Sequence, residues 1–168
     1  MPALARVDDC ADAVVTAIKA AWTTRQAPDD VTAVYAPDIG LNPDQPDTLV
    51  SGRQVFVFAE AWAAAETVSR ADVRRRYTVW VLTVERYTES AAPVPVEWIR
   101  ERTAFVESLA NLFAPGSSID GSLSSYYVPP DALPEVQIVA DREELIQRAA
   151  FWSVLVLSLD QLVNFAGQ

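Results

Sequence analysis

The sequence predicts an α+β domain in which two helices pack on a mixed or antiparallel sheet carrying a long protruding β-hairpin. Three observations predict it. Two segments, residues 3–25 and 95–113, place apolar residues at helical spacings of three and four. Several shorter segments alternate apolar and polar residues as strands do. No glycine or proline interrupts residues 53–92, which leaves room for two long consecutive strands.

The first helix, residues 3–25, carries Leu4, Val7, Ala11, Val14, Ile18 and Trp22 on one stripe. Asp8, Asp9 and Asp12 lie toward its start, and Lys19 and Arg25 toward its end, which suits the helix dipole. Pro28 closes it, and a short strand follows at residues 31–35. Residues 37–52, with three prolines and three aspartates, read as an acidic loop. Residues 54–58 (QVFVF) form a strand, while residues 59–66 (AEAWAAAE) fit a helix by composition and a continued strand by register. Residues 73–87 are the longest strand, paired with the preceding one through a turn at residues 69–72. The second helix spans residues 95–113, with Pro95 suited to its first turn. Residues 114–134 read as a long Gly/Ser/Pro loop of the kind that is functional or disordered. A strand at 135–140, a helical turn at 142–148 and a final strand at 151–159 complete a single domain over residues 1–168.

Length sharpens the reading of the hairpin. A compact domain of this size is roughly 40 Å across, whereas a straight strand over residues 73–87 spans roughly 50 Å. The hairpin must bend sharply or protrude. Its apolar half points Val79 and Val81 one way and Trp80, Leu82 and Val84 the other. The helices cover one face, and the other calls for a neighbouring subunit. Arg74, Arg75 and Arg76 then fall on the projecting half. There they either solubilise an edge or meet acidic surface, with no bearing on folding in either case.

Composition excludes several functions. Apolar residues make up 51% of the chain and charged residues 21%, ordinary for a globular domain. No apolar run approaches the roughly 18 residues of a membrane span, and the acidic N-terminal residues do not match a signal peptide. A formal net charge of −10 opposes ordinary nucleic-acid binding. Histidine is absent, which removes the commonest general base and metal ligand. Cys10 sits in the first helix beside Ala11 and reads as buried filler. No phosphate-binding glycine motif occurs, and the aspartates of residues 37–52 lack calcium-loop spacing. No catalytic residue, cofactor or metal site is expected.

The order of elements resembles the tail-terminator (tail-completion) and related neck proteins of long-tailed bacteriophages. The resemblance is carried by an N-terminal helix, a short strand, and the hairpin "VFVF…SRADVRRRYTVWVLTVERY". After it come a helix and "DREELIQRAAFWSVLVLSL", a turn into a closing strand. It implies a non-enzymatic virion protein, made in the host cytoplasm, that forms a hexameric ring capping the tail tube. Its partners are then its own copies, the tail tube protein and the head–tail connector protein. Arg70, Arg74, Arg75 and Arg76 would meet acidic surface on a neighbouring copy or partner. DNA would pass without specific binding, repelled by acidic residues of the bore drawn from Asp38, Asp44 and Asp47 or from Asp120 and Asp131. Two alternatives stand beside this. One is a head-closure or connector protein of the same virion, and the other a small cone-shaped α+β enzyme or ligand-binding domain.

Overall fold

The computed structural model describes residues 6–22, 30–33, 53–60, 63–67, 72–87, 94–139 and 150–164. Its elements run α1 (Arg6–Trp22), β1 (Asp30–Ala33), β2 (Arg53–Ala59), β3 (Ala63–Thr67), β4 (Asp72–Arg86), α2 (Val96–Leu112), β5 (Ser118–Asp120), β6 (Ser125–Tyr127), β7 (Glu135–Val139) and β8 (Ala150–Asn164). The fold is α+β, as the sequence predicts. The segments at 37–52 and 142–148 lie outside the described residues.

The strands form one eight-stranded sheet ordered β1-β2-β4-β8-β6-β5, with β3 also paired to β4 and β7 to β8. Among the described residues only β1 and β2 run parallel, and the other pairings are antiparallel. Its spine is the β4–β8 ladder, continuous from Asp72 opposite Asn164 to Arg86 opposite Ala150. β2 pairs with the second half of β4, and β3 with its first half through a register shift between Ala64 and Glu66. The ambiguous alanine-rich segment is thus a strand where it is described. Paired on both sides, β4 offers its neighbours no helical alternative.

Alternation along β4 and β8 sorts the sheet into two faces. Tyr77, Val79 and Val81 on β4, with Phe151, Leu155, Leu157 and Leu159 on β8, are buried on one face. They form a core with Cys10, Val14 and Ile18 of α1 and with Phe105, Val106 and Leu109 of α2. At roughly 1.5–3 kcal/mol for each fully buried large apolar side chain, this helix-covered face is the main source of stability. α2 starts after Pro95, whose extended backbone (φ −61°, ψ 141°) suits a helix cap, and ends where the Phe113 N–H bonds to the Ala110 carbonyl.

Two expectations need correcting. The closing strand does not stop at residue 159 but continues through Asp160 and Gln161 to Asn164. β8 therefore flanks the tip half of the hairpin as well, so that half is three strands wide. Residues 114–134, expected to be loop, contain the β5–β6 hairpin, with Ile119 opposite Tyr126. The Gly116 N–H to Val128 carbonyl and Val128 N–H to Ser117 carbonyl bonds extend that pairing. Its tip is closed by the Gly121 N–H bonding to the Ser124 carbonyl.

Candidate interaction surface

Antiparallel sheets that face water on one side are normally polar there. The face of this sheet turned away from the helices is not. It carries Phe56 and Phe58 from β2, Trp80 and Leu82 from β4, and Trp152, Val154 and Val156 from β8, all half-buried. Phe58 and Trp80 are stacked, with ring centroids 6.1 Å apart and planes 3° from parallel. The indole N–H groups of Trp80 and Trp152 are shielded from solvent and have no hydrogen-bond partner among the described residues.

At one end this face passes into charge. Arg76 grips Asp160, directly opposite it on β8. The contacts are Nε to Oδ1 at 2.7 Å and Nη2 to Oδ2 at 3.0 Å, a bidentate arrangement. Arg76 Nη2 also lies 3.4 Å from Asp131 Oδ1, and Arg74 Nε lies 4.0 Å from Asp160 Oδ2. The Asp160 side chain is wholly buried, while those of Arg74 and Arg76 are 35% and 30% exposed. The hydrogen bond to Asp160 raises the affinity of the Arg76 guanidinium for its proton, against a smaller opposing effect of burial. Arg75 points to the other face, opposite Gln161.

The arginine run is therefore divided, and the expectation that it has no bearing on folding fails at Arg76. Removing that guanidinium would take from the buried Asp160 carboxylate its bidentate partner and leave it the longer contact to Arg74, a change that costs more than losing an exposed ion pair. The signal missed in the sequence was Asp160, which lies 84 residues from Arg76 and is the one charged residue of its strand. Arg70 and the aspartates Asp38, Asp44 and Asp47 lie outside the described residues. Asp120 and Asp131 are both exposed; Asp120 accepts a hydrogen bond from Ser125 Oγ at 2.7 Å.

Two polar clusters on the helix side also escaped sequence reading. Asp9, in the first turn of α1, is fully buried and accepts hydrogen bonds from Ser122 Oγ (2.6 Å), the Leu123 N–H (3.0 Å) and Tyr126 Oη (2.8 Å). Burial alone would raise its carboxyl, but those bonds outweigh it and hold the group below the ordinary aspartate range. Tyr126 also meets Tyr77 edge-on at 5.6 Å, and Tyr77 Oη donates to Gln161 Oε1 at 2.8 Å. The second cluster is Glu85, held between Arg53 (Nε to Oε2, 2.7 Å) and Arg102. Each arginine lies over an aromatic ring, Arg53 on Phe105 at 4.4 Å and Arg102 on Trp98 at 4.3 Å. Both clusters join helices to the sheet.

Cys10 is buried, and desolvation pushes its thiol far above the usual range. Among the described residues no group of three or more Cys, Asp or Glu side chains is arranged to hold a metal ion. No helix among them is long and apolar enough to cross a membrane.

No family model and no curated protein matches the sequence. A solved structure known only by a sequence identifier aligns over 81% of this chain and 81% of its own, at 11% identity and a TM-score of 0.35. A likeness that weak carries no argument.

Proposed function

We propose that this chain is a non-enzymatic structural protein of a long-tailed phage virion. In this reading it is a tail terminator whose ring caps the tail tube and meets the head–tail connector protein. The observation that carries the proposal is the sheet that is apolar on both faces, with aromatic residues on the side that neither described helix covers. The occupant proposed for that side is a neighbouring copy of the chain, as a closed ring of identical subunits requires. The order of elements described above supports the same reading.

A ring in the path of a genome also needs a bore that does not hold DNA. Acidic residues achieve this by short-range repulsion, effective within about 8 Å at physiological salt. Asp131 is partly offset by Arg76, which makes Asp120, exposed at the end of β5, the better placed candidate of the two.

The test is electron microscopy of assembled tail tubes mixed with the purified protein. The proposal expects density capping one end of the tube. Binding to the connector protein alone would move the chain to the head-closure role, and binding to neither would refute the virion reading.

A further inference from the structure

Buried polar atoms without a hydrogen-bond partner are few in native proteins. Two of them meet in this core. Thr83 on β4 and Ser153 on β8 stand directly opposite each other in the ladder, and each is 1% exposed. Their hydroxyl oxygens are shielded from solvent and have no hydrogen-bond partner among the described residues, each other included. A buried hydroxyl left in that state is destabilising. Two side by side call for a guest that satisfies both.

Alternation puts the pair on the helix-covered face, in line with Val81 on β4 and Leu155 on β8. Ser153 stands between Phe151 and Leu155 on that face and is shorter than either. α2 lies over this part of the sheet. Its Trp98 meets Phe151 edge-on with ring centroids 6.3 Å apart, and its Arg102 bonds to Glu85, two residues from Thr83. A short side chain among long ones beneath a helix is where a core leaves the roughly 10–15 Å³ that a water needs. The reach also fits. Directly opposite residues have Cβ atoms about 4.5–5.5 Å apart, and a water about 2.8 Å from each hydroxyl oxygen spans up to about 5.6 Å. Other guests fit less well. A hard cation takes about six to eight oxygen ligands, and the neighbouring Glu85 carboxylate is already held by Arg53 and Arg102. An apolar guest would leave both hydroxyls unsatisfied.

We infer that one ordered water sits in the core between β4, β8 and α2, bridging Thr83 Oγ1 and Ser153 Oγ. A hydroxyl can both donate and accept, so the water accepts from one and donates to the other. The two side chains then act as a unit. Losing either takes from the water its second anchor and orphans the hydroxyl that stays, whereas losing both leaves nothing to satisfy. The site is independent of the virion reading, because it lies wholly within one chain.

The experiment is a double-mutant cycle in the full-length chain, Thr83→Val and Ser153→Ala, read by thermal melting beside a high-resolution crystal structure of the parent. Each single variant should melt about 2–6 °C below the parent, and the double variant no lower than either single one. The parent crystal should show one water within about 2.5–3.2 Å of both oxygens. If the hydroxyls are unbridged, each substitution removes an orphan, and both single variants melt above the parent with shifts that add. That result overturns the inference, and so do losses that simply add. Non-additive losses with no water between the oxygens would mean that the hydroxyls bond directly to one another, which overturns it as well.

Discussion

Asp9→Ala isolates what holds the β5–β6 hairpin on the domain. That hairpin meets the rest of the sheet through a single register pair, Tyr127 opposite Asp160. The Asp9 carboxylate accepts three hydrogen bonds from residues 122–126. Ser122 is exposed and recovers water when the acceptor is lost, whereas the Tyr126 hydroxyl is buried and does not. An orphaned buried donor costs about 1–3 kcal/mol, and bonds to a charged group are worth about 1.5–3 kcal/mol each before the carboxylate's own desolvation is set against them. The net loss is about 3 kcal/mol, or a fall in melting temperature of about 6–12 °C for a chain of this size. The assay is thermal melting followed by circular dichroism. The effect also has a pH signature. A carboxyl held below its unfolded value of about 3.9 stabilises the fold above that pH and loses its contribution as pH falls through the lowered value. The gap between parent and variant should be constant from about pH 5 upward and shrink below about pH 4. A variant melting within about 1 °C of the parent at neutral pH, or a gap indifferent to acid, would refute the reasoning.

Other substitutions follow from the same geometry. A Cβ at Gly121 would sit 2.4 Å from Asp9 Oδ2, so Gly121→Ala should cost about 1–3 kcal/mol as an overpacked site. Asp9→Ala should relieve most of that cost, which a double-mutant cycle reads as non-additivity. Glu85→Ala leaves Arg53 and Arg102 without the carboxylate between them; about 3 kcal/mol is expected in urea denaturation, and a loss under about 1 kcal/mol would show the cluster to be incidental. Cys10 should resist alkylation in the native protein and react once denatured, and Cys10→Ser should lose a little packing and no function. Rapid labelling of the folded chain would contradict its burial.

What the sequence disclosed followed the strength of local pattern. Residues 54–58 and 73–87 alternate cleanly, and β2 and β4 lie where period-two reading puts them, within a residue or two. The helices were legible from their apolar stripes. β8 was read short because Asp160 and Gln161 look like a strand end, when each is buried and satisfied by a distant partner. The β5–β6 hairpin was hidden by its serines and glycines, although Asp120-Gly121 is a turn signal and Ile119 and Tyr126 mark its inner face. The contacts that matter most at the site were not legible. Asp9 meets its partners across 113 to 117 residues and Arg76 meets Asp160 across 84, so only the folded topology brings them together. The arginine run was visible as a feature, but the bidentate pairing of Arg76 with Asp160 within it was not.

The most direct measurement of the central claim is the absolute mass of the purified chain by multi-angle light scattering, alone and with tail tube protein. The account predicts a discrete closed assembly, hexameric in the proposed terminator role and a whole multiple of the 18.4 kDa chain, seen as a ring by electron microscopy. A strictly monomeric mass at every concentration, with and without the tube protein, would contradict it.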